Sequence, residues 1–492
     1  MMSAEHRARN LLALNLLGVA SLALYIARFL RPYFILDYIS TPFLDLAVIS
    51  GRQLNAALAF VGGFLALFLL YALALFISRN TRTGLAATLV LLWGVVFSVP
   101  LFLTYPVSAN DIFGYAAHGE IITRFDANPL VFPASEFPDA RLAIYSGFRE
   151  QVSNYGPLWT WVEAGVVSAF GAVNVLWPVL GFKLVALGAY LLTAVLIYAI
   201  LRRRMPEQAV AGLLFFAWNP LVLFEYAVNG HNDALMAALV LAGVWFWQVR
   251  RPLWMTLSLT LALLVKIPAA LLLPIFLLSA ARRQDSRGDR QFVAVAGSLL
   301  IVMLVGVAYL SLPQGAQGLK FLLERADLFT HSLPTLIRQL LLPLLGDRSA
   351  NAIARNGALL ALGMCFIVQL GRTWIRSDNA IRYAYELWLV LLLFVTLWFQ
   401  PWYVTWLVPL AALFPCSDTC VQTGLFSLTV TWSYVVGGFI WLWAPQLTGW
   451  RAGLGSLLLF IGTSYGLPWL YFLLSHWPGR HRRAFVVKSP AD

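Results

Sequence analysis

The chain alternates long apolar runs with short clusters of arginine, and few folds accommodate that pattern. A helix crossing a hydrocarbon core of about 30 Å needs about 20 residues at 1.5 Å each. Runs near this length are 11–30, 55–78, 84–104, 179–201, 209–228, 233–249, 291–311, 351–371, 384–400, 422–443 and 453–475. Three shorter apolar stretches, 253–265, 268–281 and 402–415, read as short or half-depth helices. The expected fold class is an all-α polytopic membrane protein with about 11–14 transmembrane helices. A solvated globule is excluded, because 11% of the 492 residues are charged against about 25% in soluble domains.

Arginine position predicts orientation. Arg79 and Arg82, Arg202 to Arg204, Arg250 and Arg251, Arg282 and Arg283, Arg372 and Arg376, and the tail Arg480, Arg482 and Arg483 fall on one face. Roughly 20 basic residues lie on that side and about 4 in the short opposite loops, which is the positive-inside asymmetry. Both termini are then cytoplasmic, and 476–492 is a cytoplasmic basic tail. The net charge of +12 is used for orientation; the basic residues lack the spacing of a nucleic-acid module, so no nucleic-acid partner is expected. Arg7 and Arg9 before an apolar run resemble a signal peptide. The run is long and no small-residue cleavage site follows, so a retained first helix is expected.

This topology leaves two long external segments, 105–178 and 312–350. Within the first, Leu158 to Trp177 reads as a helix in the outer interface, with Trp159, Trp161 and Trp177 at headgroup level. The whole chain, 1–492, reads as one membrane domain without a soluble appendage. Cys365, Cys416 and Cys420 imply free thiols, since C-x3-C alone is a weak metal signal.

The first external segment opens with SANDIFGYAAHGEI. Asp111 stands at the water–lipid boundary, where partial desolvation suits a carboxylate to take a proton from an alcohol; an N-cap is the plainer role. Asp111, Tyr115 and His118 share one helical face, with Glu120 beside them. NPLVFP and then NYGPLW, which contains Tyr155, read as rigid turns. LFEYAVNGHNDALM places Glu225 and Asn229 one turn apart, then His231, Asn232 and Asp233 at a polar corner. Intramembrane polar residues are costly and tend to line cavities. Lys266 sits at the tip of a hairpin made by 253–265 and 268–281, placed to hold a phosphate as a point charge or to snorkel. Lys183 is a second phosphate candidate. His331 and Ser332 lie in the second loop, and Gln400, Trp402 and Tyr403 form an aromatic and amide edge suited to a sugar ring. No cofactor is required by these residues; a divalent metal held through Asp111, Glu120 and Asp233 is left open.

Taken together, SANDIFGYAAHGEI with NPL, YGPLW, VNGHNDALM, LVKIP and QPWYVTW resembles the GT-C superfamily of membrane glycosyltransferases, closest to the polyprenyl-phosphomannose-dependent mannosyltransferases of bacterial lipoglycan assembly. The resemblance covers about Ser108 to Leu407. It implies a GT-C-like fold, a polyprenyl-phosphate sugar donor, an external glycan or lipid-linked acceptor, and an active site on the outer face of a bacterial inner membrane. It also implies that Asp111 is the catalytic base of an inverting displacement. Here the acidic residue follows the third span rather than the first. Two other readings differ in class. A transporter or flippase of a lipid-linked glycan would carry inverted repeats, and a glycan ligase or polymerase would carry clustered arginines in one external loop.

Overall fold

The computed structural model describes residues 4–79, 81, 83–315, 317, 329–439 and 454–476. Part of the expected second loop, Arg82, the end of the 422–443 run and the tail arginines lie outside them. The described residues form helices joined by turns, with one isolated bridge between Phe34 and Thr104. The chain is an all-α polytopic membrane protein. Seven helices are long and apolar enough to cross a membrane, or eight if a pair bent by 48° at Trp218–Asn219 counts as one.

The segment 105–178 is reached through α1 (Ala4–Tyr25), α2 (Leu54–Ser78) and α3 (Gly84–Phe102), the last capped by Thr83 accepting from the Ala86 N–H. The segment itself folds into α4 (Asp111–Phe125) and α5 (Pro157–Phe170), the latter opened by a proline at its first position, where the missing N–H costs nothing. Trp161 and Trp177 are exposed, but Trp159 is fully buried against Tyr115 and Phe182. α5 packs on α4 with Trp159 on the side facing it, and the helix expected over 158–177 ends at Phe170, so that Trp177 belongs to the next helix.

α6 (Leu176–Arg204) is a full span; α7 (Ala209–Ala217) is the first half of the bent pair. Three helices that follow are short: α8 (Asp233–Gln248), α9 (Pro252–Val265) and α10 (Leu272–Arg282). Arg283, just past α10, donates to the Trp247 carbonyl at 3.1 Å. The ends of α8 and α10 are therefore side by side, and α9 with α10 makes the expected hairpin, with Lys266 at its tip.

α11 (Arg287–Leu310) is capped by Ser286, whose hydroxyl accepts from the Asp289 N–H. Val302 and Leu310 on it, and Leu344 and Ile367 on α12 (Leu333–Ile375), are exposed. Apolar exposure on that scale fits lipid rather than water. α12 begins at Leu333, inside the stretch expected to be loop, and kinks at Gly346 (φ 73°). The apolar run 384–400 is helical only in α13 (Ala380–Val390) and a π turn, Leu391–Val395. A 3-10 turn (Pro401–Trp406), α14 (Leu407–Ala412), α15 (Asp418–Val430), a short turn of helix (Ser433–Gly438) and α16 (Leu454–His476) follow among the described residues.

Candidate active site

Four helix breaks meet at one point. Asp111 begins α4, Glu225 lies in a π turn (Phe224–Val228), Asp233 begins α8, and Lys266 follows α9. Irregular backbone at membrane depth is tolerated where it lines a polar site. Both aspartates stand at helix N-termini, where the dipole favours an anion. The corner between Glu225 and Asp233 needs glycine: Gly230 has φ 64°, and a Cβ there would lie 2.6 Å from Ile112 Cδ1.

Each carboxylate is held differently. Glu225 accepts from Asn229 Nδ2 at 2.8 Å and from the Tyr434 hydroxyl; Asn229 Nδ2 also donates to Ser108 Oγ at 2.8 Å. Asp233 accepts from Lys266 Nζ at 2.8 and 2.9 Å and from Trp406 Nε1. Asp111 Oδ1 accepts from the Tyr155 hydroxyl at 2.8 Å. Burial, then the charge of Asp111, push the Tyr155 hydroxyl well above its usual range, so it stays a donor. Among the described residues, no hydrogen-bond donor reaches Asp111 Oδ2.

The His231 ring sits among all three carboxylates. Its Nε2 is 3.2 Å from Glu225 Oε2, and its Nδ1 is 3.7 Å from Asp111 Oδ2 and 3.9 Å from Asp233 Oδ2. None of these has hydrogen-bond geometry. Trp402 stacks on the ring at 4.3 Å between centroids, and Tyr403 lies 4.9 Å from Lys266 Nζ, a cation–π contact. The Asp111 and Lys266 side chains are 15% and 12% exposed, whereas those of Glu225, His231 and Asp233 are 1% or less. The first pair thus forms the mouth of the cluster.

The YGP turn positions this mouth. Gly156 N–H donates to the Val265 carbonyl at 3.0 Å, and a Cβ on Gly156 would stand 2.1 Å from the Leu264 carbonyl oxygen. Only a bare Cα lets the turn seat against the end of α9, with Tyr155 between Asp111 and Lys266.

Asp111, Tyr155, Glu225, Asn229, His231, Asp233, Lys266, Trp402 and Tyr403 are thus brought together. Asn232 is buried next to them, with both amide atoms unpartnered. Other candidates go elsewhere. Tyr115 is buried behind Tyr155 with ring centroids 5.0 Å apart. His118 Nδ1 lies 3.2 Å from Glu163, whose carboxyl burial pushes up in pKa and His118 pulls down. Glu120 accepts from the Arg141 and Leu142 N–H groups at 3.0 and 2.7 Å and pairs with Arg124, so it anchors the loop. His331 stacks on Phe460 at 4.2 Å, and Ser332 caps α12. Gln400 begins the turn that carries Trp402. Lys183 Nζ donates to the Phe102 and Thr104 carbonyls at 3.0 and 2.5 Å, closing the end of α3. Among the described residues no three His, Cys, Asp or Glu side chains are arranged to hold a metal ion.

Ser108, Trp406 and Tyr434 were not singled out from sequence. Trp406 had a signal, standing four residues after Trp402. Tyr434 had none.

A profile of the alpha-(1->6)-mannopyranosyltransferase family, N-terminal domain, matches residues 16–282, a stretch that contains every charged residue of the cluster. A probable alpha-(1->6)-mannopyranosyltransferase of Mycolicibacterium smegmatis is 26% identical over 451 residues, covering 80% of this chain and 76% of that protein. Alpha-(1->6)-mannopyranosyltransferase A of Mycobacterium tuberculosis is 26% identical over 396 residues, 72% of this chain and 73% of the relative. The protein of that name in Corynebacterium glutamicum is 26% identical over 177 residues, 36% of each chain. With more than half of its length matched, the chain belongs to the MptA/B family of alpha-(1->6)-mannopyranosyltransferases.

Proposed function

We propose that the chain is an inverting mannosyltransferase that moves mannose from a polyprenyl-phosphate donor to a hydroxyl of a glycan or lipid-linked acceptor. The observation that carries this reading is the difference between the carboxylates. Glu225 and Asp233 are buried, each with two partner side chains, whereas Asp111 is at the mouth with Oδ2 free of donors. An acceptor hydroxyl that reaches Asp111 loses its proton to Oδ2 as its oxygen bonds to the sugar C1. The C1–O bond to phosphate breaks, and its electrons leave on the polyprenyl phosphate. Lys266 has three N–H donors, of which Asp233 takes at most two, so one can meet the charge developing on that phosphate. Trp402 and Tyr403 offer faces to the sugar ring.

The length of α8 supports an outward-facing site. Its 16 residues rise about 24 Å from the arginine-rich face, short of the about 30 Å hydrocarbon core. The cluster then sits a few ångströms below the outer headgroups, at a depth open to a lipid-linked donor. In a bacterial cell this is the outer face of the inner membrane.

The test is transfer by purified protein with a panel of donors. Polyprenyl-phosphomannose should support transfer to an α-mannoside acceptor, and a nucleotide sugar alone should not. Transfer from a nucleotide sugar without lipid carrier would overturn the reading.

A further inference from the structure

At the end of the three short helices opposite the Asp111 cluster, a shallow open cleft is lined by Trp247, Arg250, Arg251, Pro252, Ala280, Arg283 and Gln284. It lies one α8 length from Asp233, about 24 Å, so it is no part of the sugar site. Asp378 is the one anion that pairs with its cations among the described residues. Arg283 donates through Nη1 to the Trp247 carbonyl, while its buried Nε lies 3.2 Å from Asp378 without hydrogen-bond geometry. The Asp378 side chain is itself 83% exposed, so water screens the attraction. Arg204, at the end of α6, is near enough to Arg283 for their charges to repel and to Asp378 for a smaller attraction, and its buried Nη1 has no hydrogen-bond partner. Arg250 adds a third repelling guanidinium. Glu207 and Asp285, the other nearby carboxylates in sequence, form no ion pair with them among the described residues.

A cluster of this kind does more than orient the chain. Topology needs only basic residues in a loop, and those can stay in water. Here a guanidinium nitrogen is withdrawn from water without an acceptor, which is costly unless an anion meets it. The guanidinium fork matches a phosphate. Next to Pro252 of the cleft, Leu253 and Trp254 on α9 are exposed apolar side chains, placed to run along acyl chains.

We propose that this cleft binds the phosphate of an anionic phospholipid, with Arg250, Arg251 and Arg283 around the headgroup and Arg204 behind it. Basic clefts between membrane helices are suited to such headgroups. The shared chemistry is a phosphodiester; the apolar strip beside it favours the lipid over a soluble phosphate ester.

Native mass spectrometry of the full chain, with phosphatidylglycerol, phosphatidylcholine and glycerol phosphate as probes, tests this. Phosphatidylglycerol should be retained preferentially, and millimolar glycerol phosphate should not displace it. The R250Q/R251Q double variant should lose retention by about tenfold or more, given the usual contribution of basic side chains at an anionic lipid surface. Because these arginines also orient the chain, a photoreactive phosphatidylglycerol on the unaltered protein gives an independent readout: its adducts should map to 246–254 and 280–284. Equal retention of phosphatidylcholine, displacement by glycerol phosphate, adducts elsewhere, or undiminished retention by a folded double variant would each overturn the proposal.

Discussion

The Tyr155 hydroxyl donates to Asp111 Oδ1 at 2.8 Å across 44 residues of chain. That bond is the link between the helix bearing the proposed base and the turn that closes the site. Tyr155→Phe removes it and keeps the ring packed on Tyr115. Hydrogen bonds to charged groups contribute about 1.5–3 kcal/mol, so Tm should fall by a few degrees, and turnover should fall about tenfold or more in the protein that remains folded, because Asp111 is no longer held in place. Unchanged kcat would mean that Asp111 is oriented by something else.

Gly156 and Gly165 make a matched pair for testing the turn. A Cβ on Gly156 would meet the Leu264 backbone at 2.1 Å, whereas one on Gly165 meets nothing within 4 Å. Gly156→Ala should cost about 1–3 kcal/mol through overpacking and lower transfer by displacing Tyr155. Gly165→Ala, within α5, should be neutral or stabilising by up to about 1 kcal/mol. Thermal unfolding of both variants in detergent checks the contrast.

The spans and the cluster differ in how readable they were. Length and hydropathy identify α2, α3, α6 and α11 directly, because a lipid-facing helix is written in one continuous run. The break after Val395 does not interrupt hydropathy, so the run 384–400 reads as a plain span, whereas the bend at Trp218–Asn219 is marked only by Asn219-Pro220 inside an otherwise apolar run. Within the site, Glu225, Asn229, His231 and Asp233 were legible because polar residues inside an apolar run need a reason. Tyr434 was not: it reaches Glu225 across 209 residues, and an aromatic residue in a span reads alike whether it faces lipid or a carboxylate. Glu120 and Lys183 carried the opposite problem. Each is a buried charge, but it is satisfied by backbone groups of the loop or helix end beside it, which only the folded chain displays.

Lys266 and Asp233 test whether their pair serves folding or chemistry. Lys266→Ala alone leaves Asp233 buried and without its cation, at a cost of about 3–5 kcal/mol. Adding Asp233→Asn should recover much of that stability, since a neutral amide needs no counter-ion. Donor binding should stay weak in both, because neither has an ammonium to offer the phosphate. Recovery of donor affinity along with Tm in the double variant would assign Lys266 a purely structural role.

Cys416 reports orientation without any substitution. It is exposed in the turn before α15 and feels the charge of Arg79, so it shares the arginine-rich face. An impermeant maleimide should leave it unlabelled in intact cells and label it after permeabilisation. Burial raises its thiol pKa, which lowers the thiolate fraction, so labelling should quicken as pH rises from 7 to 8.5. A cysteine at Glu136, in the segment proposed to be external, should react in intact cells. The reverse pattern would move the catalytic cluster to the cytoplasmic side.

Asp111→Asn separates chemistry from architecture. Asp111 is the first residue of α4, and its side chain makes no capping bond to the helix; Asn110 precedes it. An amide keeps an oxygen that accepts from Tyr155, so the turn and the fold should survive. It removes the lone pair that takes a proton from the acceptor hydroxyl. General-base assistance is typically worth about 10²–10⁴-fold, so kcat should fall by at least about 10²-fold while donor affinity stays close to wild type. Asp111→Glu adds a methylene beside Tyr155 and should retain a fraction of activity, because the base is present but displaced. An Asn variant that binds donor and transfers mannose at the unaltered rate would remove Asp111 from the mechanism. His231, whose Nδ1 lies 3.7 Å from Asp111 Oδ2, would then be the nearest group able to take the proton.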